Sequence, residues 1–241
     1  MRVVLLTAGS GEPLVFLHGG GTFHGFDFAR PWTSRHRVII PYHPGWGESA
    51  DAPNFTTLHD YVLHYLDLFD QLKLERFSMV GLSMGGLLSA TFAIEHARRL
   101  RKLVLVAPPG MHVPDHPAAD LSRIPPEQIP SYLVEDIRVI TPHLPLQPSP
   151  EFLTNRRREM QSLLRVMRRG SDDSTLHLWL HRVATPTMIL WGEKDRIVPV
   201  EHAEVWAKFI PGARVRLIPG AGHLVLDEKA EAVECVAEFL S

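Results

Sequence analysis

Phe77-Ser78-Met79-Val80-Gly81-Leu82-Ser83-Met84-Gly85-Gly86 is the stretch from which the rest of the chain is read. An apolar, strand-like run breaks at Gly81, and a helix-like run begins after Ser83. One serine therefore stands where a strand turns sharply into a helix. The flanking glycines have a steric reason, since a Cβ at Gly81 or Gly85 would collide where strand and helix converge. In a G-x-S-x-G turn of this kind the hydroxyl is pushed out at the C-terminal end of the strand.

Short β-branched runs recur on both sides of this turn. Arg2–Thr7 and Leu14–Leu17 read as strands joined by the tight Gly9-Ser10-Gly11-Glu12 turn, so this first pair is expected to be antiparallel. Arg37–Pro41, Phe77–Gly81, Leu103–Ala107, Thr187–Trp191 and Arg214–Ile218 follow. The middle runs are apolar on both faces, as parallel strands covered by helices are. Helical patterns lie between them at Asp60–Leu74 (Tyr61, Leu63, His64, Leu68 and Leu72 inward), Met84–His96, Glu201–Phe209 and Asp227–Leu240. The alternation predicts a doubly wound α/β sheet with right-handed crossovers.

One interval breaks the rhythm. Residues 108–186 separate two core strands by far more than an ordinary connection. The stretch 108–150 is proline-rich, whereas Pro150–Arg169 reads as a helix with Phe152, Met160, Leu163, Leu164 and Met167 as its apolar face. The expected organisation is a core of residues 1–107 and 187–241, with 108–186 inserted as a helical lid.

Composition narrows the function classes. The 241 residues are 45% apolar and 22% charged, which excludes a disordered or collagen-like chain. Lys+Arg 25 against Asp+Glu 27 leaves a net charge of −2, without the basic footprint of a nucleic-acid binder. The single cysteine, Cys235, cannot close an intrachain disulfide. Val3-Val4-Leu5-Leu6 is too short for a signal-peptide core, and no run approaches the ~18 apolar residues that span a bilayer. The expectation is a cytoplasmic protein with a small-molecule substrate and no nucleic-acid or membrane partner.

A serine hydroxyl is a weak nucleophile unless a base takes its proton. Of 14 histidines, His223 is best placed, in Pro219-Gly220-Ala221-Gly222-His223 between the last strand and the last helix. The third member must be a carboxylate that fixes the imidazole tautomer and stabilises the imidazolium. Asp195, just past the sixth strand in Trp191-Gly192-Glu193-Lys194-Asp195, is the first choice and Glu193 its rival. Acyl transfer also needs N–H donors aimed at the developing oxyanion. The Met84 amide, at the helix start, is one. The other is expected from His18-Gly19-Gly20-Gly21, with Gly20 preferred and Gly19 and Gly21 open. Phe23, Phe26, Trp32, Trp179 and Leu224 are candidate pocket walls. Arg156-Arg157-Arg158 and Arg168-Arg169 either attract an anionic substrate or form a solvated helix face balanced by Glu151, Glu159, Asp172 and Asp173.

With these pieces in hand, the chain resembles the α/β-hydrolase fold family in its lid-bearing, serine esterase-like branch. The matching segments are Leu17-His18-Gly19-Gly20-Gly21, Gly81-Leu82-Ser83-Met84-Gly85-Gly86, Trp191 to Pro199 and Gly220-Ala221-Gly222-His223. The resemblance implies Ser83 as nucleophile, His223 as base, Asp195 as acid, Gly20 and Met84 as oxyanion donors, and neither metal nor organic cofactor. The first strand of the family sheet has no counterpart, so about seven strands are expected. Serine at 83 argues against the dehalogenases and epoxide hydrolases of this fold, which use aspartate there. His43 stands near where the family commonly has aspartate. Gly81-Leu82-Ser83-Met84-Gly85-Gly86 also looks like the carbon–carbon hydrolases of aromatic degradation, which usually carry tryptophan after the catalytic histidine; here it is Leu224. The expected activity is hydrolysis of a small or medium carboxylic ester through an acyl-enzyme. The alternatives are carbon–carbon bond hydrolysis of the meta-cleavage product type and a non-catalytic receptor on the same fold.

Overall fold

Every strand-like run of the sequence becomes a strand of one sheet. The computed structural model describes residues 1–167 and 175–241. The strands are β1 Leu5–Ala8, β2 Glu12–Leu17, β3 His36–Pro41, β4 Phe77–Leu82, β5 Leu100–Val106, β6 Thr187–Gly192 and β7 Arg214–Ile218. They lie in the order β1-β3-β2-β4-β5-β6-β7. β1 is antiparallel, as expected, but its ladder is with β3 and not with β2, while β2 to β7 run parallel. The physical reason is burial. Leu14 to Leu17 are fully buried and need a strand on either side, whereas β1 is mostly exposed and suits an edge. The β1–β2 connection therefore passes over the start of β3, with Gly9 lying against the Thr33 and His36 carbonyls.

The α-helices of the described residues are α1 Leu58–Gln71, α2 Met84–His96, α3 Ile129–Leu133, α4 Pro150–Met167, α5 Leu176–Trp179, α6 Glu201–Phe209, α7 Val225–Glu228 and α8 Ala230–Leu240. α1 starts at a capping box, Thr57 and Asp60 exchanging side-chain-to-backbone bonds. Its inward face is Tyr61, Val62, Tyr65, Leu68 and Phe69, and Leu63 points to water. The helix expected over Asp227–Leu240 is two helices, because the chain leaves helical geometry at Lys229.

The strands alternate their side chains between two cores. Val15, Leu17, Met79, Leu103, Leu105, Ile189 and Trp191 pack with α1, α2 and α6. Leu14, Phe16, Val80, Val104, Val106, Met188 and Leu190 pack with α8 and the 3-10 helix Asp27–Ser34. Period-two alternation with both faces covered is what makes these strands apolar throughout. Trp32, Trp46, Trp191 and Trp206 are all buried, and each indole N–H donates to a backbone carbonyl. The segment between β5 and β6 carries α3, α4, α5 and short 3-10 turns. Of its α4 face, Leu163 and Val166 are buried in the first core, with Met160 and Met167 partly buried against it. No helix among the described residues is long and apolar enough to cross a membrane.

Candidate active site

Ser83 directly follows β4 and adopts φ 53°, ψ −119°, a left-handed conformation that a side-chain-bearing residue rarely takes. The turn is held from both sides. The Ser83 amide donates to Val106 O (2.8 Å), extending the β4–β5 ladder, and its carbonyl accepts the Leu87 amide (3.0 Å), opening α2. A Cβ at Gly85 would run into the Leu17 and His18 carbonyls, so glycine there lets α2 descend onto the end of β2. Met84 is the first residue of α2. Its amide is one of the first-turn N–H groups that no helical carbonyl can reach.

Asp195 and His223 are brought together. His223 Nδ1–H donates to Asp195 Oδ2 at 2.7 Å, and both side chains are almost wholly buried. The other carboxylate oxygen accepts the amides of Ile197 (2.8 Å) and Val198 (2.9 Å), so Asp195 is fixed as an acceptor on three sides. The two loops that carry the pair are cross-tied, with the Glu193 amide on Ile218 O (3.1 Å) and the Lys194 amide on Ala221 O (2.8 Å). Gly192 allows this, because a Cβ there would strike the Ala221 and Gly222 carbonyls. Glu193, the rival carboxylate, is exposed and leaves the partnership with His223 to Asp195. Ser83, Asp195 and His223 follow β4, β6 and β7 and so share the C-terminal edge of the sheet. Among the described residues no hydrogen bond joins the Ser83 hydroxyl to His223 Nε2, and nucleophile–base bonds of this kind often tighten only with substrate in place.

The glycine loop meets the serine from the β2 side. A Cβ on Gly19 would lie 3.3 Å from Ser83 Cβ. Beneath the loop is a buried network that sequence reasoning missed. The His43 amide donates to His18 Nε2 (3.0 Å), so His18 carries its proton on Nδ1 and donates to Gly19 O (2.7 Å). His43 Nε2–H donates to His18 O (2.8 Å), which leaves His43 Nδ1 to accept the Tyr65 hydroxyl. Burial holds the His18 imidazole well below its ordinary range, lowers His43 to about 3, and pushes the Tyr65 phenol well up. Both imidazoles are thus neutral, in fixed tautomers. Trp46 Nε1–H completes the hold by donating to Gly20 O at 3.0 Å.

α4 lies on the outer side of the same loop. A Cβ on Gly20 would come within 2.6 Å of Leu163 Cδ2, and one on Gly21 within 2.9 Å of Arg156 Nη1. Glu159, 3% exposed, accepts from Thr22 Oγ1, from the Gly47 amide (3.2 Å) and from Arg156 (2.9 Å). Arg156 also stacks over the Phe23 ring at 4.5 Å, and Arg158 donates to Gly47 O. Arg156 and Arg158 are therefore docking groups, a correction to the solvated-face reading, while Arg157 is exposed. Arg168, Arg169, Asp172 and Asp173 lie outside the described residues.

The remaining candidate contacts divide. Leu224 is buried beside His223, Phe23 and Phe26 are part-buried near the glycine loop, and Trp32 belongs to the second core. Trp179 is not brought to the site. It is half exposed and lines a cavity of about 480 Å3 against Thr91, Ile94 and Glu95 of α2. At 1.5 Å per residue those positions lie roughly 10–16 Å along α2 from Met84.

A sequence profile described as alpha/beta hydrolase fold matches residues 12–230. The chain is 30% identical to a 2-hydroxy-6-oxo-6-phenylhexa-2,4-dienoate hydrolase of Comamonas testosteroni, over 97% of this chain and 89% of that one. Among solved structures, a meta-cleavage product hydrolase from Pseudomonas fluorescens superimposes with a TM-score of 0.80 at 20% identity, covering 98% of this chain and 93% of that one. The naproxen esterase of Bacillus subtilis superimposes with a TM-score of 0.77 at 22% identity, covering 99% and 87%. At such identities the superpositions speak for the fold alone.

Proposed function

The chain belongs to the α/β-hydrolase fold family, and from that premise we propose that it is a serine hydrolase acting at an activated carbonyl carbon, with Ser83, His223 and Asp195 as its triad. The observation that carries the reading is the buried His223–Asp195 bond of 2.7 Å at the same sheet edge as the strained Ser83. Ser83 Oγ attacks the carbonyl while its proton passes to His223 Nε2, and Asp195 stabilises the imidazolium. The oxyanion accepts from the Met84 amide and from an amide of the glycine loop, Gly20 first. The leaving group departs with the proton from His223, and water repeats the sequence in reverse to release the acid and free Ser83.

The first substrate class is a vinylogous 1,5-diketone acid cleaved at a carbon–carbon bond, as the activity of the Comamonas testosteroni relative supports. The sequence alone placed esters first, and the relatives reverse that order. Carboxylic ester hydrolysis stays as the second reading because Leu224 occupies the position of the tryptophan common in carbon–carbon hydrolases. We further assign residues 108–186 the part of a lid, on the ground that α4 rests on Gly20 and Gly21.

The test is turnover of 2-hydroxy-6-oxo-6-phenylhexa-2,4-dienoate and of a p-nitrophenyl ester series by the wild type and by Ser83→Ala. The proposal expects cleavage of the dienoate, with kcat/KM above that of any ester, and loss of at least about 10³-fold in Ser83→Ala. Ester turnover without dienoate cleavage selects the second reading. Full activity in Ser83→Ala removes the mechanism.

A further inference from the structure

The β5–β6 segment touches the site at a second place, in the residues between α3 and α4. Glu228, at the end of α7, is part-buried and places its carboxylate in a gap between two loops. Its Oε2 accepts the amide of Gly222, the residue immediately before His223. Its Oε1 accepts the amides of Glu135 (2.8 Å) and Asp136 (2.9 Å), in the segment that follows α3. One carboxylate thus satisfies three backbone N–H donors from two separate stretches of chain. Three further ties converge on the same segment. The Leu224 amide, just after His223, donates to Leu133 O at 2.8 Å. Arg196, just after Asp195, donates through Nη2 to Val134 O at 2.8 Å and pairs with Glu135 at 3.3 Å. The backbones are in contact as well, since a Cβ on Gly222 would sit 2.9 Å from Val134 Cα and from the Glu135 amide nitrogen.

We infer that Glu228 is a positioning residue, and that Leu133–Asp136 is a clasp which sets the His223 loop in register with the Asp195 loop. The Leu224 amide and the Arg196 side chain end on these four residues, and the Gly222 amide reaches them through the Glu228 carboxylate. With the clasp in place, the backbone under His223 is fixed from both sides and its ring can move only by rotation about its side-chain bonds. The inserted segment is on this account part of the apparatus that aims the base as well as a cover. Glutamate suits the task because an ionised carboxylate offers acceptor sites on both oxygens and donates nothing. Glutamine would present an amide N–H either to Gly222 or to Glu135 and Asp136, and so open one side of the clasp.

The inference rests on the proposed role of His223, and its test separates the two. The readout is the second-order rate at which an alkyl fluorophosphonate modifies Ser83, followed by intact-protein mass spectrometry between pH 6 and 9. In that reaction Ser83 Oγ bonds to phosphorus, fluoride leaves and the serine proton goes to the base, so the rate reports the aim of His223 without knowledge of the substrate. The final extent of labelling counts the folded molecules. His223→Ala is the control for the reading itself: a rate equal to wild type removes His223 as base, and the clasp with it. Given a slow His223→Ala, Glu228→Gln and Arg196→Met are each expected to label to completion at a rate roughly 10- to 100-fold below wild type, the order of loss that a misplacement of about 1 Å brings. Wild-type rates per folded molecule in both variants overturn the clasp, whatever their melting temperatures. If Glu228→Gln is recovered only unfolded, Arg196→Met, whose side chain is half exposed, decides alone on the same criterion.

Discussion

At the scale of single residues, the site rests on neutral imidazoles as much as on charged groups. His18 and His43 bond to each other's backbone and hold the glycine loop from below, and Tyr65 supplies the last donor. Tyr65→Phe leaves His43 Nδ1 buried without a partner, and should cost about 1–3 kcal/mol by urea denaturation. The same burial makes stability pH-dependent. His43 titrates near 3 when folded and near 6.5 when unfolded, so below pH 6.5 the unfolded chain binds a proton that the folded chain refuses. The stabilisation is complete above the unfolded value and is lost as the pH falls from 6.5 towards 3. This one residue is expected to remove about 2 kcal/mol between pH 7 and pH 5, and His43→Asn should lower the slope by that share in parallel urea titrations, His18 keeping its own. An unchanged slope would contradict the network. The sequence marked His18 and His43 by their motifs but did not reveal their pairing. Nothing in one-dimensional order says that residues 25 apart, in the loops that follow neighbouring strands, will bond to each other's backbone.

At the scale of elements, α2 and α6 were legible to the residue, because an elbow glycine pair and regular apolar spacing mark their ends. α1 was legible as a helix, but its packed face was set by Tyr61, Tyr65 and Phe69 at successive helical turns, and the leucine-weighted reading wrongly included Leu63. α4 was foreseen as apolar, yet it is fastened largely by charge. Glu159 is buried among Thr22, the Gly47 amide and Arg156, whose side chain keeps about a quarter of its exposure. Glu159→Ala strands that guanidinium and is expected to cost about 3 kcal/mol. Glu151→Ala, on the exposed first turn of the same helix, should change stability by less than about 0.5 kcal/mol. Equal effects in the two variants, measured by chemical denaturation, would show that α4 is held by its leucines alone.

At the scale of the molecule, the order of strands was the part least available to sequence. Each run announced itself as a strand, but only the competition for buried positions places β3 between β1 and β2. The site was legible because its parts are adjacent to strand ends, and the elbow at Ser83, the carboxylate at Asp195 and the imidazole at His223 follow one another there in a chain order that suits nucleophile, acid and base. The groups that aim those parts, Glu228 and Trp46 among them, act through backbone contacts across distant segments and left no motif. The assembled edge makes a kinetic prediction. His223 must be neutral to accept the serine proton, so kcat/KM is expected to fall on acidification between about pH 8 and pH 5. A flat profile over that range contradicts the role of the base. The most direct measurement is a peptide map of the protein after fluorophosphonate treatment, in the wild type and in His223→Ala. The account predicts a single adduct on Ser83 in the wild type and its near-absence in the variant. An adduct on another residue, or Ser83 labelled equally well without the imidazole, would contradict it.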